Sequence, residues 1–375
     1  MTIKIPVTHA GSLPRPRDLT EMIWAKMDGK PVDLDALAAR TASAVAEVVE
    51  RQRALGIDII SDGEMSKAGF SAYIAERFDG FGGESAFTAD DLVGFEQIAM
   101  HLFGNDAGAH ARFANCVGLV KVKQIEDVRR DIRVFKDALG DTSPADAFMG
   151  SISPGQVALN YPNQYYDTFE AYVGAVAQAI GNEYREIVGA GLNLEIDAPD
   201  LASAQHSHAV GETSNDFWET LPLRIESINA ALEGIPSEQV RMHVCWGNYA
   251  GPHHLDVPLA EIISEILKAK VGTIYVEGAN PRHEYEWHVF ENVELPEGMK
   301  VILGAVDTKV NTVEHPQTVA DRLVRLARVI GPDRVIAGTD CGLATFIDFG
   351  VDPRIAWMKL ESLVEGARLA SEQLS

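Results

Sequence analysis

The sequence predicts an α/β fold: a (β/α)8 TIM barrel with an insertion after its second strand. Three observations predict it. Short apolar runs alternate with longer segments of helical period along nearly the whole chain. Eight of the short runs read as strands, most of them followed by a helix. The length of 375 residues suits one large barrel.

The elements follow in order. PVTHAGS (Pro6 to Ser12) opens the chain as the first strand candidate. A helix beginning after Asp33 carries Leu34, Leu37, Val45 and Val48 and leads into IDIISDGE (Ile57 to Glu64). The segment 79–139 breaks the rhythm. It is Gly-rich at Phe81-Gly82-Gly83, then holds an extra strand at Gly118 to Lys123 and an extra helix at Ile125 to Leu139. DAFMGSIS (Asp146 to Ser153) precedes a helix striped by Phe169, Val173, Val176, Ile180, Tyr184 and Ile187, and LNLEIDAP (Leu192 to Pro199) follows. RMHVCWGN (Arg241 to Asn248), TIYVEGAN (Thr273 to Asn280), KVILGAVD (Lys300 to Asp307) and RVIAGTDC (Arg334 to Cys341) complete the set. His315-Pro316 and Asp352-Pro353 each open a helix with proline at its first position. We expect one barrel domain over 1–375, with 79–139 inserted in it.

Composition narrows the function classes. Hydrophobic residues make up 46%, so the chain has material for a core. Lys and Arg number 32 against 55 Asp and Glu, a net charge of −23. A surface this acidic repels phosphate backbones and anionic lipid, so no nucleic-acid or membrane partner is expected. The three cysteines, Cys116, Cys245 and Cys341, are too sparse for a disulfide framework. With no signal peptide and no apolar run near the ~20 residues that span a bilayer, a cytoplasmic location is expected.

Active sites of such barrels lie at the C-terminal ends of the strands. Polar residues gather there: His9 and Ser12, Asp62 and Glu64, Ser153, Glu195 and Asp197, His243 and Cys245, Glu277, Asp307, Asp340 and Cys341. His243 and Cys245 are two apart on one strand and so share a face, a half-site for zinc. Cys341 ends a later strand that barrel closure brings near. Glu277 either supplies a fourth, oxygen ligand or pairs with Arg282. Three protein ligands and one exchangeable position is the pattern of catalytic zinc. A pair of buried cysteines packing as small hydrophobes is the competing reading.

THAGSLPRP, ISDGE, LEIDAPDLA, HVC, VEGANPRHE and TDCGL stand in this order across nearly the whole chain. In these pieces the sequence resembles the catalytic barrel of cobalamin-independent methionine synthases, more closely their short single-barrel relatives. The resemblance implies a zinc-dependent thiol alkyltransferase. It implies Zn2+ on His243, Cys245, Cys341 and Glu277, and Ser12, Glu64 and Asp197 around the amino-acid part of homocysteine. The competing reading from the residues alone is that Asp197 caps a loop and Glu64 pairs with Lys67.

The departures fall on the donor side. The length leaves no room for the N-terminal barrel of the long enzymes. Near Asp307 those enzymes place, two residues on, a histidine linked to proton delivery; here it is Lys309, and an unperturbed lysine is a poor acid for a leaving amine. SISPGQVALNYPNQYY is richer in tyrosine than the family's folate-facing segment. The expected function is methyl transfer to homocysteine from an unidentified donor, with a corrinoid protein among the candidates. Alkylation of coenzyme M, as in epoxyalkane:coenzyme M transferases, is the alternative. A non-catalytic zinc barrel and a Schiff-base enzyme using Lys309 stand behind these. The oligomeric state stays open. Of the remaining histidines, His206 and His208 read as solvated loop residues, His253-His254 as a loop at the mouth, and His283 as support for the metal site. Trp246 is expected to point away from Cys245.

Overall fold

A computed structural model describes residues 3–85, 87–103, 113–209, 216–345 and 351–375. Its central sheet has seven strands: β1 (Ile60–Ser61), β5 (Ala147–Ile152), β6 (Asn193–Asp197), β8 (Val240–His243), β9 (Thr273–Val276), β10 (Lys300–Val306) and β11 (Val335–Thr339), paired in that order. Every neighbouring pair is parallel, as βαβ connection requires. Most of their residues are buried on both faces, so the strands read as near-continuous apolar runs.

The eighth strand differs from the expectation. Pro6 to Ser12 forms no regular ladder, only parallel bridges from Val7 to Ala337 and from Ala10 to Gly342. The segment nevertheless closes the ring: Thr8 N donates to Ala337 O, and Asp58 N and Ile59 N donate to Val7 O. Side chains take the place of ladder bonds. Val7 N donates to Asp58 Oδ2 at 2.9 Å, and Thr8 Oγ1 donates to Ile59 O at 2.9 Å. The strand expected over Ile57 to Glu64 is short for the same reason. Buried Gln52 brackets Ser61, accepting from its N–H at 2.9 Å and donating to its carbonyl at 2.8 Å.

The helices are set by caps and stripes. The helix Leu34–Leu55 starts at Asp33, whose side chain accepts from the N–H groups of Asp35 and Ala36, and ends at Gly56 with φ +84°. Its buried side chains are Ala44, Val45, Val48, Val49 and Gln52. Pro316–Ile330 and Pro353–Leu374 start where expected, at His315 and Asp352.

The unusual segment holds a two-stranded antiparallel sheet, β2 (Phe78–Ser85) with β4 (Phe113–Val122), and a short helix, Glu96–Phe103. Strand β3 (Phe87–Ala89) pairs with β7 (Ser207–Ala209), which follows β6. Ile125–Leu139 packs instead against Leu34–Leu55 and against Phe169–Gly189. Arg77 ties these parts together, bonded to Asp131 at 2.6 Å and to Glu183 at 2.8 Å in a buried cluster. We propose that the insertion proper ends near residue 124 and that Ile125–Leu139 belongs to the outer ring of helices. Among the described residues no helix is long and apolar enough to cross a membrane.

Candidate metal centre

Two adjacent strand ends and one turn build the site. The β6/β8 register pairs Asp197 with His243. Beyond His243 the chain stays extended for a residue, with Val244 N donating to Tyr275 O, and this sets Cys245 at the barrel mouth. Across the ring, Asp340 N donates to Val306 O just after β11 ends, and Cys341 follows. The Cys245 and Cys341 sulfurs lie 3.5 Å apart, and both cysteines are free. The ligand atoms of His243, Cys245 and Cys341 all fall within 4.8 Å of one another, and all three residues are buried.

This donor set fits zinc. Zn–S bonds near 2.3 Å in a tetrahedron place two sulfurs about 3.8 Å apart, close to the separation found. The orientation fits too. His243 Nδ1 lies 2.8 Å from Asp197 Oδ1. The carboxylate can only accept, so Nδ1 carries a proton, and Nε2, 3.1 Å from the Asp340 carbonyl, is the nitrogen a cation would take on displacing the other proton. Burial opposes charge on the ring, but Asp197 outweighs it and brings the imidazole up to about 10. The neighbouring Cys341 and burial push the Cys245 thiol well above its ordinary range. A thiol this dry becomes a thiolate only beside a cation.

Glu277 stands outside the trio. Its side chain is fully buried and pairs with Lys309, whose Nζ is 2.6 Å from Oε2; Arg282 is not its partner. Oε1 accepts from Trp246 N at 3.1 Å, and Asn280 Nδ2 donates to Oε2. Burial would raise this carboxyl, but Lys309 overrides it and holds it down to about 2. Lys309 is correspondingly a buried, charge-paired lysine and not the unperturbed one expected. Burial disfavours its charge, yet Glu277 and Asp340 raise it above its usual value. Asp307 lies beside it, its Oδ1 accepting from Lys309 N at 2.7 Å.

Ser12 is buried against the turn after Cys341. Leu343 N donates to Ser12 O, and a Cβ at Gly342 would fall 2.4 Å from Ser12 Oγ. Glu64 has φ +57°, a left-handed backbone rare for a side-chain-bearing residue and frequent at functional sites. Its Oε1 lies 3.1 Å from Lys67 Nζ, which also donates to Gly150 O at 2.6 Å. Gly11 and Gly150 make room for the carboxyl: a Cβ at either would sit 3.3 Å and 3.0 Å from its atoms. Glu195 belongs to the wall, with Arg241 2.7 Å away and Gly11 N donating to it at 2.8 Å. Glu64 thus shows the pairing with Lys67, and Asp197 touches a metal-ligand candidate instead of capping a loop.

Residues near the trio went further than the sequence suggested. His206 is not solvated but buried, 3.7 Å from Asp256 through Nδ1 and 3.4 Å from Tyr249 Oη through Nε2. His208 pairs with Asp90 at 3.1 Å. Asp256 also meets His253 at 2.9 Å and His283 at 2.8 Å. Trp246 is buried, donates Nε1–H to Val257 O at 2.6 Å and stacks on His283 at 4.2 Å. Spacing hides this network because its members come from three loops. The tyrosine-rich segment mostly packs: Tyr161 is buried with its hydroxyl on Ser71 O, while Tyr165 is exposed. Cys116 is buried.

The family described as "Cobalamin-independent synthase, Catalytic domain" matches residues 129–361, which include all three cradle residues. The chain belongs to this family. It is 25% identical to the 2-hydroxypropyl-CoM lyase of Xanthobacter autotrophicus, covering 100% of this chain and 96% of that protein. It is also 25% identical to a methionine synthase of Saccharolobus solfataricus, covering 99% and 96%. Among solved structures, a B12-independent methionine synthase from Shewanella sp. W3-18-1 aligns over 99% of both chains with TM-score 0.75 and 21% identity, a likeness of fold.

Proposed function

We propose that this chain is a zinc-dependent thiol S-alkyltransferase of the cytoplasm that methylates homocysteine to methionine. The observation that carries the proposal is the buried convergence of His243 and Cys245, at the end of β8, with Cys341, just after β11. Zinc held there would strip the proton from a substrate thiol and fix the sulfur for attack on a methyl carbon. The chain's own residues do the rest. Asp197 orients the imidazole through Nδ1. The Glu64 carboxylate, with the free oxygen of Asp197, offers negative charge to the substrate ammonium, and Ser12 lines the same mouth. Lys67 holds Glu64 in place until that ammonium arrives. In the reaction a sulfur–methyl bond forms as the donor–methyl bond breaks. Asp307 and Lys309 face the donor side, where Lys309 acts as a fixed charge and not as a general acid. Candidate donors are methyl-folate, a methylated corrinoid on its carrier protein, or a small methyl compound.

Alkylation of coenzyme M is the second reading, supported by the full-length similarity to 2-hydroxypropyl-CoM lyase. A sulfonate needs a cation that is not already spent. Lys67 and Lys309 are committed to carboxylates, and Arg15 donates to the carbonyls of Glu64 and Ala344. Arg282, exposed at the mouth on carbonyls of His254 and Asp256, is the remaining candidate. Calorimetric titration of zinc-loaded protein with each thiol decides. Homocysteine binding with little response to coenzyme M is expected; the reverse would transfer the assignment to the lyase chemistry.

A further inference from the structure

We infer that the segment 87–103 is a cap on the barrel mouth and that Tyr249 is the positioning residue that fastens it, so that release of one buried hydrogen bond opens the way for the alkyl donor. The cap stands apart from the zinc reading; that it admits a donor rests on the function proposed above.

Its seat is the strand-end rim. β3 pairs with β7, in the loop after β6, and Asp90 N donates to His206 O at 2.7 Å. His208 pairs with Asp90 at 3.1 Å. From the loop after β8, Tyr249 Oη donates to Asp91 Oδ2 at 2.6 Å, and both side chains are buried. Leu92 and Leu102 form with Tyr249 a small apolar cluster separate from the main core. The loops gripped are those that leave Asp197 and Cys245, so the cap spans the approach to the cradle.

The hook is built into the barrel. Two glycines flank the Tyr249 ring: a Cβ at Gly247 would fall 2.5 Å from it, and one at Gly251 closer still. His253, with φ +52°, stacks on that ring at 4.5 Å and donates Nε2–H to the Tyr249 carbonyl at 2.8 Å. Asn248, the residue before the hook, donates to Gly342 O at 2.7 Å and to Thr345 Oγ1 at 2.6 Å. It also accepts from Thr308 Oγ1 at 2.7 Å. With the hook anchored to the loops after β10 and β11, the cap is the part that moves.

The closed state is under-bonded. Among the described residues, eight buried side-chain atoms lack a hydrogen-bond partner, and four belong to this seam and the layer beneath it: Asp91 Oδ1, Gln205 Oε1, His206 Nδ1 and Asp256 Oδ1. Water reaching such atoms as the cap lifts would satisfy them, which narrows the gap between closed and open states.

The test compares wild type, Tyr249→Phe, Asp91→Ala and the double variant in the metal-free protein. It reads hydrogen exchange and the rate of iodoacetamide alkylation at each cysteine by mass spectrometry. Tyr249→Phe should speed exchange over 87–103, and alkylation of Cys245 and Cys341, by about threefold to tenfold, the factor one net hydrogen bond supplies. Alkylation of Cys116 and exchange of β8 to β11 should stay as in wild type. Asp91→Ala should match Tyr249→Phe, and the double variant should add little to either, because both remove the same bond. Unchanged exchange over 87–103 in both single variants overturns the latch, as does full additivity or a speed-up spread over the whole barrel. Faster exchange with unchanged alkylation of Cys245 and Cys341 overturns the cap, because the segment would then not cover the cradle. Failure of the alkyl-transfer reading looks different: zinc-loaded wild type methylates no homocysteine while the exchange and alkylation changes persist.

Discussion

Asp197 and His243 are register partners on neighbouring strands, and their side chains meet at 2.8 Å through Oδ1 and Nδ1. This carboxylate fixes the tautomer and tilt of a cradle imidazole, and its side chain stays 24% exposed. Such partners of ligating histidines typically contribute about 10–100-fold to metal affinity. Asp197→Ala is expected to weaken zinc binding by about that factor, and Asp197→Asn by less, since its amide oxygen can still accept. Chelator competition measures this. An unchanged zinc affinity with a weakened homocysteine affinity would make Asp197 a substrate residue alone.

Cys341→Ala leaves an imidazole and one thiol. A structural pair of buried cysteines would tolerate the change as a small loss of packing, whereas a cradle would lose its cation. We expect zinc content to fall to near zero and methyl transfer with it, while the thermal midpoint of the metal-free protein shifts by only a few degrees. Metal analysis and calorimetry check both halves.

Gly150 lies under the Glu64 carboxylate, and a Cβ there would meet Oε1 at 3.0 Å. Gly150→Ala should therefore push the carboxylate aside without disturbing the backbone. Expected is a rise in homocysteine KM of roughly tenfold, with stability changed by about 1 kcal/mol or less, because only a side-chain tip must give. Equal KM in variant and wild type would remove Glu64 from the substrate site.

His283 sits between Asp256 at 2.8 Å and Glu286 at 2.9 Å. Burial lowers its affinity for a proton, but the two carboxylates prevail and raise it to about 9, above the unfolded value near 6.5. A histidine raised in the folded state stabilises fully below its unfolded pKa and loses that contribution as pH climbs through the folded one. Wild type should thus lose up to about 3 kcal/mol between pH 6.5 and 9.5 relative to His283→Asn. Urea unfolding of both proteins at the two pH values gives the difference; a constant difference refutes the charged assignment.

The barrel was legible because its signals are local. Strand runs such as Lys300 to Asp307 and helix starts at His315-Pro316 and Asp352-Pro353 follow from burial on both faces and from N-terminal capping, which neighbouring residues encode. The cradle was legible because strand period and the strand-end rule place His243, Cys245 and Cys341 without knowledge of packing. Where side chains replace ladder bonds, as Gln52 and Asp58 do beside the first two strands, the local signal overstated the strands. The partners of the acids were decided only by the tertiary structure. Whether Glu277 goes to a cation, to Arg282 or to Lys309, and whether Asp197 meets solvent or His243, depends on which strand ends the closing ring brings within 3 Å, and charge pairing across a buried interior has no periodicity along the chain.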